Sequence, residues 1–255
     1  MRGRMNVIAT NPSKHESSAV GITSWSKEAA RAALLQWKQS GLLSAPLLCS
    51  PGTKIFERGI ECLDAFLLDR GVMAFEHEQP AKDKSGIFAL CLPGHLFGQS
   101  PEAPSHSIPH SAIALTRCSV YRIKRERILG ALQEGGELAL FIIRQYLQNL
   151  LCARARATES TIKSAKARFQ QLLLELASAL EDRSPTGSIR LPLKDKELAG
   201  LLGISPQQFS VIKREMEAEK LITCAGQRNK LALRSVTGKL QFFKVYRYKR
   251  MSNIA

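Results

Sequence analysis

The stretch LPLKDKELAGLLGISPQQFSVIKREMEAEKLITCAGQRNKLAL, residues 191–233, constrains this chain more than any other. Leu198, Ala199 and Leu202 recur at helical spacing until Gly203-Ile204 interrupts them. A second helix then begins with a full set of start signals. Ser205 is a good N-cap, Pro206 fills the first helical position, and Gln208 falls three residues after the cap, within reach of the Ser205 backbone. Phe209, Ile212 and Met216 follow at i, i+3 and i+7, one apolar stripe facing a core. Gln207, Ser210, Val211, Lys213 and Arg214 occupy the opposite face. After Leu221-Ile222, two short extended runs flank Gly226-Gln227-Arg228-Asn229, which reads as a hairpin. Helix, turn, helix, hairpin is the pattern of a winged helix-turn-helix.

In such a motif, amides and hydroxyls near the start of the second helix suit base edges, and cations behind them suit phosphates. An ordinary helical hairpin with a solvated polar face fits the same spacing. Charge separates the two readings. Residues 161–255 carry 18 Lys+Arg against 8 Asp+Glu, so +10 of the chain's formal +15 lies in this last part. A basic domain is the electrostatic footprint of a polyanion partner.

At 255 residues and 44% hydrophobic, the chain has room for two packed domains. No apolar run approaches the roughly 18 residues of a membrane span, and the N-terminus lacks the apolar core of a secretory signal. The expectation is a cytoplasmic protein. Six cysteines (Cys49, Cys62, Cys91, Cys118, Cys152, Cys224) are scattered without metal-ligand spacing, so no metal or cofactor is expected. Paired carboxylates, a nucleophile elbow and a phosphate loop are not found, which argues against an enzyme.

Along the chain, residues 1–23 read as a flexible start and Ser24–Ser40 as a short helix ended by Gly41. From Leu42 to Ile123, short apolar runs alternate with turn signals such as Pro51-Gly52, Arg58-Gly59 and Pro93-Gly94. The expected strands are 54–56, 65–68, 72–75, 87–92, 113–115 and 119–123, a sandwich or jelly-roll barrel. His106 and His110 fall in a loop and read as solvated. From Glu137 the period turns helical. Leu140, Ile143, Leu147 and Leu150 step by 3, 4 and 3, as in a coiled-coil seam, although burial within one subunit explains the spacing nearly as well. Phe141, Ile142 and Leu151 lie off the seam and are expected on the β-domain. A further amphipathic run, Phe169, Leu172, Leu173, Leu176 and Leu180, leads through Ser184–Gly187 into the helix-turn-helix. The basic, aromatic end of the chain reads as a tail.

This order resembles the Crp/Fnr-type bacterial transcription regulators. The similar words are PGTKIFERG (51–59), FLLDRGVMAF (66–75), LPGHLFG (92–98), ARFQQLLLELA (167–177) and residues 191–222. The resemblance implies an α+β fold: a β-roll (jelly-roll-like) sensor domain over 24–136, a long dimerisation helix over 137–164, a winged helix-turn-helix over 165–235 and a basic tail over 236–255. It implies a homodimer on a pseudo-palindromic double-stranded DNA operator, with RNA polymerase as a further partner. The departures are informative. The Glu and Arg that hold a cyclic nucleotide in the family correspond here to Gln99, after Gly98, and to His110, before Ser111; residues facing the base appear as Ala153 and Arg154. A phosphate would lose its guanidinium partner, so cyclic-AMP independence is expected. The alternatives are the same fold sensing haem, a redox signal or another small molecule, with His77, His95 and Cys91 as candidates, and a cyclic-nucleotide module without DNA. The expected DNA contacts are Ser205, Gln207, Gln208, Ser210 and Val211 for bases, with Lys196, Lys213, Arg214, Arg228 and Lys230 on phosphates.

Overall fold

A computed structural model of the protein describes residues 27–77, 86–98, 107–179, 188–224 and 230–233. The expected flexible start, Leu180, the 184–187 and 226–229 turns and the basic tail lie outside the described residues. Helix α1 spans Lys27–Gln39 and is followed by eight strands: β1 Pro46–Cys49, β2 Lys54–Phe56, β3 Ala65–Arg70, β4 Met73–Glu76, β5 Ile87–Cys91, β6 Leu96–Gly98, β7 Ser111–Ala114 and β8 Cys118–Ile123. They form two antiparallel four-stranded sheets, ordered β1-β8-β3-β6 and β2-β7-β4-β5. The expected sandwich is therefore present. It has two strands more than anticipated, β1 and β6.

Strand side chains alternate between faces, and here both faces of several strands are buried. In β3, Phe66 and Leu68 point between the sheets, while Ala65 and Leu67 point outward onto helices. In β4 and β5, Met73, Phe75, Ala89 and Cys91 face the interior, whereas Ala74, Leu90 and Ile87 face the other way. Unbroken apolar runs such as AFLL and ALCL follow from this double burial. The outer face of the first sheet is covered by α1, by α2 (Arg125–Glu134) and by α3 (Gly136–Ile162), through Trp37, Ile128, Phe141 and Ile142. Asp64 organises the join. It pairs with Arg122 and accepts a hydrogen bond from Arg125 N at the start of α2. Asn149 on α3 donates to Leu96 O at 2.7 Å.

The outer face of the second sheet is covered by the C-terminal domain. That domain comprises α4 (Ala165–Ala179), β9 (Ser188–Arg190), α5 (Asp195–Leu201), α6 (Pro206–Ala218), β10 (Ile222–Cys224) and β11 (Lys230–Leu233). Val72, Ala74, Leu90 and Leu92 share one core with Phe169, Leu172, Leu176, Leu198 and Phe209. Two sequence expectations need correction. Leu151 does not pack on the β-domain but is 55% exposed. His110 is not a solvated loop residue. It is partly buried, with ring contacts to Phe75 at 5.1 Å and Phe88 at 5.5 Å.

Candidate nucleic-acid interface

The turn between α5 and α6 is built by backbone hydrogen bonding. Ile204 N donates to Ala199 O at 3.1 Å and Gly203 N to Gly200 O at 3.0 Å, the paired bonds of a Schellman C-cap. This needs a left-handed residue, and Gly203 supplies it with φ of 66°. Arg168 Nη2 on α4 donates to Leu202 O at 2.6 Å, tying the turn to the domain core. Two residues on, Gln208 N donates to Ser205 Oγ at 3.2 Å, while Ser205 N donates to Gln208 Oε1 at 3.0 Å. This reciprocal capping box starts α6, as the sequence predicts.

Phe209 and Met216 seat α6 in the core; the Phe209 ring meets Phe169 edge-on at 4.9 Å. That contact turns Gln207, Ser210, Val211 and Arg214 outward. Several of the named residues have internal duties; Arg214 Nε, for one, donates to Ser210 O at 3.3 Å. Gln208 is occupied by the capping box. Ser210 Oγ donates to Pro206 O at 2.9 Å, which leaves its oxygen lone pairs to accept. Lys213 donates to both Asp195 carboxylate oxygens, at 2.9 and 3.2 Å, a tie between α6 and α5 that spans 18 residues and has no local sequence signal. Lys196 is exposed on α5. Antiparallel β10 and β11 are the flanks of the expected wing, joined by an unanticipated third strand, β9. Arg228 and the Lys230 side chain lie outside the described residues.

In the β-roll, Gly98 ends β6 with φ of 97°, and a Cβ there would sit 2.8 Å from Asp64 O. Gln99 and His106 lie outside the described residues. Ser111 Oγ accepts from Arg58 N at 3.0 Å. The interior beside His110 is aromatic: Phe56, Phe66, Phe75 and Phe97 have ring centroids 5.6–6.2 Å apart. Burial holds the His110 imidazole below its ordinary value, and neighbouring His77 adds to this. Ala153 is partly buried, Arg154 exposed, and Arg117 exposed just before β8. Of the other candidates, His77 stacks on Phe88 at 4.4 Å, and His95 and Cys91 are buried apart from that pair. Among the described residues, no three His, Cys, Asp or Glu side chains form a metal-binding group. No described helix is long and apolar enough to cross a membrane.

A β-roll, a long helix with an outward apolar stripe and a winged helix-turn-helix, in that order, make the fold of the Crp/Fnr-type transcription regulators. The family model for the Crp-like helix-turn-helix domain matches residues 167–237, so the C-terminal part of the chain is a domain of that kind. Solved structures agree across the chain. A CRP/FNR-family transcriptional regulator from Thermus thermophilus aligns with TM-score 0.62 and 20% identity, covering 76% of this chain and 95% of its own. FixK2 from Bradyrhizobium japonicum gives 0.58 and 17%, covering 76% and 93%. The c-di-GMP responsive global regulator CLP of Xanthomonas campestris gives 0.60 and 17%, covering 82% and 100%. No curated protein matches the chain significantly in sequence.

Proposed function

We propose that the protein is a homodimeric, sequence-specific DNA-binding transcription regulator whose operator binding does not require cyclic AMP or cyclic GMP. The observation that carries the DNA reading is the outward face of α6. Its capped N-terminus presents Gln207, Ser210 and Val211 while Phe209 and Met216 anchor the opposite side. Gln207 suits adenine, and Val211 suits a thymine methyl. Arg214 and Lys196 suit phosphates and fix register. The stripe Leu140, Ile143, Leu147 and Leu150 supports a dimer, because all four residues point out of the single chain.

Independence from cyclic nucleotide is supported by the β-roll. A cyclic phosphate entering such a pocket sheds hydration and needs a fixed cation. At the family's arginine position stands His110, whose pKa is lowered by burial against phenylalanine rings, which disfavours a cation there. Selection of bound sites from random duplexes, followed by footprinting, tests the DNA reading. The expected result is a two-fold symmetric site with half-sites about 34 Å apart. Calorimetry with each nucleotide, with and without that operator, tests the second part. Micromolar binding that tightens DNA affinity would overturn it.

A further inference from the structure

Cys49 and Cys118 stand directly opposite each other in the antiparallel pair β1–β8. Opposed residues in such a pair project to the same face. Here that face is the interior between the sheets, where both side chains belong to one apolar cluster. Opposed Cα atoms lie about 4.5 or 5.5 Å apart, depending on the hydrogen-bonding phase. Both values fall inside the window of about 4.4–6.8 Å that a disulfide bridges, so the register places the two Cα atoms within reach of an S–S bond. Both cysteines are free thiols in this structure.

Their position also gives a route to solvent. Cys49 is the last residue of edge strand β1, just before the exposed turn at Ser50-Pro51-Gly52; Cys118 is the first residue of β8, just after exposed Arg117. Strand ends at a sheet edge open locally at far lower free energy than the whole fold. We infer that Cys49 and Cys118 form a reversible dithiol–disulfide site, oxidised by peroxides or by low-molecular-weight disulfides. With hydrogen peroxide, one thiol becomes a sulfenic acid as the O–O bond breaks and water leaves. The second thiol then displaces the sulfenic oxygen, which departs as a second water, and the S–S bond forms. Two electrons pass from sulfur to peroxide. With a small disulfide, two successive exchanges release two small thiols. Burial pushes both protein thiols up, so attack waits on the opening of the strand end.

The site adjoins the seat of the winged domain. Cys118 Sγ donates to Val72 O at 3.4 Å, and the Val72 side chain lies in the core shared with α4, α5 and α6. Oxidation removes that thiol donor. The test uses the full-length chain, reduced, freed of reductant and treated under native conditions with oxidised glutathione or with hydrogen peroxide, then alkylated and mapped by peptide mass. The expected product has lost two hydrogens and contains a linked Cys49–Cys118 peptide that reverts with dithiothreitol. Cys91→Ala should retain that link, and Cys49→Ala should lose it. Alkylation of all six cysteines after treatment, or a link that instead uses Cys62 or Cys91, would overturn the inference. The wild-type measurement decides alone if a variant fails to fold, and it does not depend on what the winged domain binds.

Discussion

Replacing Leu147 with Lys should convert the proposed dimer into monomers. Leu140, Ile143, Leu147 and Leu150 are 46%, 46%, 51% and 56% exposed on the single chain. Fully burying such a side chain contributes about 1.5–3 kcal/mol, so covering the exposed half contributes about 0.8–1.5 kcal/mol. Eight such residues in a symmetric pair give about 6–12 kcal/mol. Lost rigid-body freedom opposes association by about 4–15 kcal/mol, so the stripe decides the outcome without a wide margin. Leu147→Lys removes two contributions, about 1.5–3 kcal/mol, which alone raises the dissociation constant roughly 10- to 100-fold. Two ammonium groups facing each other in the seam add to that loss. The side chain is half-exposed in one subunit, so circular dichroism should report an intact fold. Sedimentation equilibrium over a concentration series should show dissociation that Leu147→Met does not cause. An unchanged dimer would place the interface elsewhere and refute the argument from the stripe.

Ser205→Ala removes the cap from α6 and should destabilise the protein by about 0.5–2 kcal/mol in denaturant titration, while Ser205→Asn should largely preserve stability. Gln207→Ala should reduce operator affinity by about 1–3 kcal/mol and relax one base position in competition binding. Asp195→Ala removes the carboxylate that Lys213 binds on α5, so non-specific DNA affinity should rise and the salt dependence should steepen by up to about one unit of log–log slope. His110 has a folded-state pKa below its unfolded value of about 6.5. Its stabilising contribution is therefore complete above that pH and lost as pH falls toward and through the folded value. Thermal melts from pH 7 down to 5 should show this loss, and His110→Gln should flatten it.

Local chemistry made the helix-turn-helix legible, because Ser205, Pro206, Gln208 and Gly203 each act within a few residues of themselves. The core strands were legible because 65–68, 72–75 and 87–92 are unbroken apolar runs. Pro46–Cys49 carries no strand signal of its own, since three of its four residues are exposed and only pairing with β8 orders it. Arg125–Glu134 is silent in the sequence for a similar reason: Ile128 and Ala131 are its buried residues, too few to show a period. The exposure of Leu151 is not legible in the sequence, because being off one helical stripe does not say what lies opposite. The tie between Asp195 and Lys213 and the opposition of Cys49 and Cys118 are products of tertiary register.

The core shared by the second sheet and the winged domain bears on how the molecule comes apart. Val72, Ala74 and Leu90 are fully shielded where the two meet. Cutting the chain after α3 would leave these side chains without their cover, on a sheet that ends in edge strands β2 and β5. Such a fragment meets the conditions for sticking to its own copies. The winged domain is thus also a structural lid for the β-roll. Heating should melt the two together in one transition, and each half should hold its shape only in the other's company.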